Sequence, residues 1–359
     1  MKTRPGTIVR HRREDPAVVT SRILTRVVPA LALAAALTSA PVAGHADDAA
    51  TDPRPPAVIF DSDMDFDDAA TLAYLAQEDR LGRIDLRAVT VTNNGNGLPG
   101  RAIRHARCLL ERLGLDDVPV ADGSDTAPNA FPAELRQTFD RVFEDVLAGC
   151  TASEAPSRIR ASELIRWIVA LDPAAHVIAT GPLSNVAAAR LDPHRVTSMG
   201  GAVRVGGNLC CGTPPEFDGS QEFNYWIDPP ASRAALRSLA RLVPLDATND
   251  VPITPQFVQR LGAEGRTTAA GIVFGLVSHP EVAPLIDAGI MSWWDPLTAM
   301  SVIHRGIVGF ETGRLDVITT GPQAGRTVLS PTGRPVVFAN AANAADFEQL
   351  FLNTLNGSR

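Results

Sequence analysis

Five carboxylates fall within eight residues, Asp61-Ser-Asp-Met-Asp-Phe-Asp-Asp68. Like charges this close repel one another, and the repulsion is relieved when a cation sits among them. Oxygen donors of this kind suit a hard divalent ion. The cluster follows a short apolar run, Ala57-Val-Ile-Phe60, and precedes a helix-like stretch, Ala69-Ala-Thr-Leu-Ala-Tyr-Leu-Ala76. Strand, acidic turn and helix is the order that sets ligands at the carboxyl end of a parallel strand. The segment therefore points to a metal site.

Short apolar runs predict strands over 57–61, 86–92, 176–180, 196–199, 241–245 and 315–319. Amphipathic stretches predict helices over 67–77, 99–113, 132–148, 160–171, 184–190, 229–239, 254–261, 266–277, 295–303 and 344–355. Strands separated by helices build βαβ units and a mainly parallel sheet. The expected fold class is α/β: a single domain over 57–359 with a mainly parallel central sheet flanked by helices. The segment 205–224 reads as a long, strand-poor loop, and long loops in compact domains are often functional.

The chain has 359 residues, 45% hydrophobic and 20% charged, with a net charge of −7. No basic face for nucleic acid is indicated. The only lysine is Lys2. Schiff-base chemistry, a P-loop and lysine-assisted aspartyl-phosphate chemistry each lose a needed residue. A serine hydrolase would need a G-x-S-x-G elbow, which is absent. A D-D-x-x-D prenyl-transfer site belongs in an all-α fold, which the βαβ pattern opposes.

Residues 1–46 read as an export signal. Arg10, Arg12, Arg13, Arg22 and Arg26 form a basic region, Val27 to Leu37 is apolar, and Gly44-His-Ala46 offers small residues for cleavage. A retained anchor is the alternative. Residues 47–56 form a polar, proline-rich linker. The expected location is secreted or periplasmic, where disulfides persist. Of four cysteines, Cys108 lies in a helical pattern as a buried thiol, while Cys150 is expected to pair with Cys210 or Cys211. A vicinal Cys210–Cys211 bridge is the strained alternative. No C-x-x-C suggests zinc.

Four further segments carry polar groups at the ends of apolar runs. They are Val89-Thr-Val-Thr-Asn-Asn-Gly-Asn96, Val177-Ile-Ala-Thr-Gly-Pro-Leu-Ser-Asn185, Gln221-Glu-Phe-Asn-Tyr-Trp-Ile-Asp-Pro229 and Trp293-Trp-Asp-Pro-Leu-Thr298. Together with Met199-Gly-Gly201 and the opening D-x-D-x-x-x-D-D, they resemble the nucleoside hydrolase family, the inosine–uridine-preferring N-ribohydrolases. The resemblance runs from about Ala57 to about Leu355, with its motifs in the family's order.

That resemblance implies a Ca2+ site made by Asp63, Asp68, the Thr180 carbonyl and Asp295, with Asp68 bidentate. It implies ribose contacts from Asp67, Asn96, Asn208, Glu222 and Asn224, with Asn94 as an alternative to Asn96. Asp63 is the implied general base for a metal-bound water, and Asp61 supports the site. The implied reaction is hydrolysis of the N-glycosidic bond of a ribonucleoside to ribose and free base, through an oxocarbenium-like sugar. The implied assembly is a homodimer or homotetramer, and the implied role is nucleoside salvage.

The chain departs from the family in three places. Trp294 stands where some members have a histidine that protonates the leaving base. Trp294 is then the expected stacking partner for a base, with Trp293, Trp226 and Tyr225 as further candidates and His279 as a substitute acid. Met64-Asp65 replaces the usual Pro-Gly, and Asp65 is expected at a solvated rim or against substrate. The usual His-Gly region is not recognisable in Asp122 to Pro132. Two other readings stay open: the same fold acting on another ribosyl C–N compound, and a non-catalytic ribosyl-binding protein.

Overall fold

The apolar run ahead of the acidic turn forms β1 (Ala57–Ser62), buried along its whole length. The computed structural model describes residues 54–129, 131–210 and 217–358. The expected signal segment, most of the linker and Cys211 lie outside the described residues. β1 pairs in parallel with β2 (Asp85–Val91) on one side and β4 (His176–Ala179) on the other. A strand enclosed on both sides and both faces has no solvent face, so its sequence is continuously apolar.

β3 (Val120–Asp122) extends the sheet beyond β2. On the other side β5 (Val196–Met199), β8 (Leu239–Val243) and β11 (Arg334–Ala342) continue in parallel from β4. β9 (Val308–Val317) and β10 (Thr327–Leu329) add antiparallel strands at that edge of the nine-stranded sheet. The chain thus builds outward from β1 through β2 to β3. It then returns to β4 and builds the other way. The strand order reverses between β1 and β4, which opens a crevice at their carboxyl ends. The acidic turn leaves β1 at that crevice, and Thr180 follows β4 there.

One face of the sheet is covered by the helix Phe66–Arg80, whose residues from Phe66 to Glu78 are all buried. A helix with so little solvent face is a core element. Helices Thr268–Val277, Trp294–Ile303 and Ala344–Leu355 surround it. The other face is covered by helices Ala161–Leu171, Ser184–Ala189 and Pro229–Ala235, through Leu164, Ile165, Leu183, Val186 and Ala235. Asp52–Arg359 forms one compact unit.

The strands absent from the sequence expectation are the short or half-exposed ones. β9 starts at Val308, well before the expected 315, and carries Glu311, Arg314 and Asp316 on partly exposed positions. Its pairing with β11, not an apolar run, makes it a strand. The segment expected to be strand-poor holds a small ribbon of β6 (Leu209–Cys210) and β7 (Asp218–Gln221).

The cysteine expectation is corrected. Cys108 is not a free thiol: it pairs with Cys150, with Cα atoms 5.8 Å apart. The bridge ties helix Arg101–Arg112 to the chain just after helix Ala133–Val146. Spacing cannot decide connectivity, and a helical cysteine reads equally as buried thiol or bridge. The bond closes a sequence separation of 42 residues, for which chain entropy predicts a stabilisation of about 4 kcal/mol. Substituting Cys150→Ser should lower unfolding free energy by about 2–4 kcal/mol in denaturant titrations. A midpoint unchanged from wild type would show that the bridge constrains little.

Candidate active site

The turn after β1 is folded by its own carboxylates. Asp61 is fully buried, and one oxygen accepts the Thr90 hydroxyl at 2.6 Å and the Asn185 amide at 2.9 Å. It ties β1 to β2 and to helix Ser184–Ala189, and burial pushes its carboxyl up to about 6 against those two bonds. Met64 turns the chain at φ 55°, a left-handed conformation that costs a side-chain-bearing residue strain. Asp65 is the N-cap of helix Phe66–Arg80. It accepts from the Asp67 and Asp68 backbones, while Asp68 accepts the Asp65 N–H in return. This capping box satisfies helix donors that would otherwise lack partners.

A cavity of about 180 Å³ opens above this turn. Asp63, Asp67, Asn96, Thr180, Asn208, Glu222, Asn224, Trp294 and Asp295 all line it. Of the expected set only Asp68 does not. Its Oδ2 takes the backbone N–H groups of Asp63 and Asp65 at 3.2 and 3.0 Å, and its Oδ1 takes the Thr180 hydroxyl at 2.5 Å. Asp63 Oδ2 accepts the Asn96 backbone N–H at 2.5 Å. The Asn96 amide reaches Asp65 Oδ2 at 2.9 Å. Asn94 is held away from the cavity by Thr92, Thr126 and Ser184, so geometry favours Asn96. Close approach is needed here: a Cβ at Gly95 would collide with Asp63 Oδ2, and one at Gly181 would sit 2.8 Å from Asp63 Oδ1.

The opposite wall comes from the segment after β7. Glu222 caps helix Phe223–Ile227 and accepts N–H bonds from Gly201, Asn224 and Tyr225. The Asn224 amide donates to the Thr180 carbonyl at 2.7 Å. Asn208 accepts the Phe223 N–H at 2.9 Å. The buried Oδ1 atoms of Asn96 and Asn224 have no hydrogen-bond partner among the described residues. Unpaired buried acceptors are costly, and these two belong to cavity-lining residues.

Charge crowding dominates the electrostatics. Burial, then Asp68 and Asp65, holds the Asp63 carboxyl well above the usual range. Burial and Asp65 do the same to Asp67, and burial and Asp67 to Asp295. Asp68 is pushed up to about 7 by burial and Asp65. The helix N-terminus favours one or two carboxylates here but cannot offset this many. Carboxylate oxygens of Asp65, Asp67 and Asp295 lie within 4.8 Å of one another and can hold a metal ion. This grouping differs from the expected Asp63, Asp68, Thr180 and Asp295. Asp68 turns its oxygens to backbone N–H groups and the Thr180 hydroxyl, whereas Asp63 and Asp65, which also accept backbone N–H groups, line the cavity. All the donors are hard oxygens, and with the two unpaired amide oxygens they fit a divalent cation.

Several site residues carried no clear sequence signal. Asp65 is half-buried, and beyond its expected place at the rim it caps the helix and lines the cavity. Arg136, on helix Ala133–Val146, donates to the carbonyls of Asn93, Asn96 and Gly97 and so clamps the loop that holds Asp63. Phe66, Phe131, Phe139 and Phe223 supply apolar wall. Of the aromatic candidates only Trp294 lines the cavity. Trp293 packs among Phe257, Phe347 and Phe351, Trp226 against Phe217, and Tyr225 is buried. His279 is corrected as a substitute acid: it does not line the cavity, and its ring bonds Asp145 at 3.1 Å.

The profile of the inosine-uridine preferring nucleoside hydrolases matches residues 58–350. The pyrimidine-specific ribonucleoside hydrolase RihA of Citrobacter koseri is 29% identical over 282 residues, covering 71% of this chain and 84% of its own. The inosine-uridine preferring nucleoside hydrolase of Crithidia fasciculata is 28% identical over 58% of this chain and 65% of its own. Among solved structures, an inosine-uridine preferring nucleoside hydrolase from Bacillus anthracis superposes with a TM-score of 0.70 at 23% identity, covering 84% of this chain and 99% of that one. A purine-preferring ribonucleoside hydrolase from Gardnerella vaginalis gives 0.69 at 20% identity, covering 84% and 98%.

Proposed function

The chain belongs to the inosine-uridine preferring nucleoside hydrolase family, and from that premise we propose a secreted, calcium-dependent enzyme that hydrolyses the N-glycosidic bond of ribonucleosides. It is a hydrolase of N-glycosyl compounds. The observation that carries the finer reading is the gathering of Asp63, Asp67, Asn96, Thr180, Glu222, Asn224 and Asp295 around one cavity at the strand-order reversal.

In this reading Asp63, Asp68, Thr180 and Asp295 hold the calcium, with Asp65 and Asp67 close enough to join or to orient them. Calcium supplies Lewis acidity, which acidifies water and anchors a vicinal diol. Asp63 takes the proton from the attacking water, and the Asn96 N–H on its Oδ2 fixes the carboxylate for that task. Asp67, Glu222, Asn224 and Asn208 orient the ribose hydroxyls, with the unpaired amide oxygens of Asn96 and Asn224 as ready acceptors. The surrounding carboxylates favour the positive charge that develops on the sugar. Trp294 and the phenylalanine walls take the base. The Cys108–Cys150 bridge supports an oxidising, extracytoplasmic location.

The test is sugar release from inosine, adenosine, guanosine, uridine, cytidine and p-nitrophenyl riboside, with calcium and after chelation. Calcium-dependent release from nucleosides is the expected result, and faster purine than pyrimidine release supports stacking on Trp294. Binding without release from any substrate would favour the non-catalytic reading instead.

A further inference from the structure

The carboxylate read as general base is held by a loop, and that loop is held from outside. Asp63 takes the Asn96 N–H on its Oδ2 at 2.5 Å. The loop 92–97 runs so close that a Cβ at Gly95 would collide with the Asp63 carboxylate and one at Gly97 with the Asp63 carbonyl. Residues 92–97 form no helix or strand. Backbone without a hydrogen-bond ladder opens easily unless other contacts hold it.

Arg136 makes those contacts. It is half-buried on helix Ala133–Val146. Its Nη2 donates to the carbonyl of Asn93 at 2.6 Å and to that of Gly97, and its Nε donates to the carbonyl of Asn96 at 3.4 Å. All three acceptors belong to the one loop. A guanidinium carries its donors in a rigid fork, which suits several fixed carbonyls, whereas an ammonium is a single point. The arginines of the neighbouring helix Arg101–Arg112 are used differently: Arg101 pairs with Asp140 and Glu144, and Arg104 pairs with Glu144. Those pairs and the Cys108–Cys150 bridge fasten helix Ala133–Val146, so the Arg136 fork is presented from a fixed platform. Phe139, one turn further along, stacks on Phe66 at 6.3 Å and lines the cavity. Arg136 itself does not line the cavity.

We propose that Arg136 is a positioning residue for the hydrolysis: by clamping the carbonyls of Asn93, Asn96 and Gly97 it sets the Asn96 N–H against Asp63 and fixes the carboxylate that takes the proton of the attacking water. This rests on the ribohydrolase reading and adds a residue to its machinery. Arg136 acts through the loop and touches no substrate. Without the guanidinium the three carbonyls lose this partner and the loop is free to shift. Misplacing a reacting group by roughly 1 Å can cost about 100-fold in rate.

The experiment measures kcat per folded molecule at saturating calcium, on inosine and p-nitrophenyl riboside. The proteins are wild type, Arg136→Ala, Arg136→Lys and Arg141→Ala, an exposed arginine of the same helix as control. Arg136→Ala should lose about 30- to 100-fold, alike on both substrates, because attack by water is common to them. Methylguanidinium should restore its kcat by about fivefold or more, and methylammonium should not, because only the former offers the fork. Arg136→Lys should stay about tenfold below wild type. Arg141→Ala should stay within about twofold. A merely structural role would lower Tm while kcat per folded molecule stayed at the wild-type value. A kcat for Arg136→Ala within about threefold of wild type therefore overturns the proposal. So does equal rescue by methylammonium, which would mean that a bare charge suffices, and so does a loss that methylguanidinium does not lift. If Arg136→Ala does not fold, Arg136→Lys decides, and wild-type kcat in that variant overturns the clamp. A wild type inactive on every riboside sinks the ribohydrolase reading, whereas an active wild type beside an unimpaired Arg136→Ala sinks this inference alone.

Discussion

Replacing Asp63 by Asn should lower kcat on every riboside by about 1,000-fold or more, while the protein stays folded. The magnitude is that of removing a positioned general base. Asn keeps the shape and can still accept the Asn96 N–H, so the loop clamped by Arg136 has no reason to move. The substitution also takes one negative charge out of a crowded cluster, so metal-free thermal stability should hold or rise. Steady-state kinetics with calcium well above its Kd separates loss of the base from weaker metal binding. The companion Asp67→Asn should act differently, raising KM as well as lowering kcat, because Asp67 is read as a ribose contact. If Asp63→Asn turns over within tenfold of wild type at saturating calcium, the base lies elsewhere.

The parts of this site that could be read in the sequence are those that one segment encodes by itself. Asp61 to Asp68 forms a local unit of strand end, turn and helix start, and its spacing alone implies clustered carboxylates. Thr180, Glu222, Asn224 and Asp295 are legible only through the family resemblance carried by the short motifs around them. The cavity gathers all four. Asp65 lines the cavity, in keeping with a place at its rim or against substrate, but its capping role is not legible because it depends on backbone angles at 65 and on where helix Phe66–Arg80 begins, which charge pattern does not give. The aromatic wall was missed because Phe131 and Phe139 come from a stretch without a motif, placed by the packing of helix Ala133–Val146. His279 failed for the converse reason: sequence proximity to Trp293 does not bring its ring to the cavity, and Asp145 holds it. Strands β9 to β11, the group at one end of the sheet, show the same limit, since long-range pairing rather than local pattern makes them strands.

Calcium removal should invert the protein's response to pH. The carboxyls of Asp61 and Asp68 start from 3.8 and are raised in the folded chain to about 6 and about 7. Asp63, Asp67 and Asp295 are raised as well. A carboxyl raised on folding binds its proton more tightly in the native state. Its stabilising contribution is therefore full below the unfolded value and is lost as pH rises through the folded one. Chelated protein should accordingly melt several degrees lower at pH 8 than at pH 5.5. A bound cation favours the ionised carboxylates, and protons compete with it for the same oxygens. The rise in Tm on adding calcium should then be largest at pH 8 and shrink toward pH 5.5. At a thousandfold excess over Kd, ligand binding alone contributes about 4 kcal/mol. Taking the difference with and without calcium at each pH removes the contribution of titrating groups elsewhere. Asp68→Asn should flatten the chelated curve between pH 6 and pH 8, because it deletes the group that titrates there. A chelated Tm that rises with pH, or a calcium shift larger at pH 5.5 than at pH 8, would mean that these carboxylates are not the groups that hold the metal.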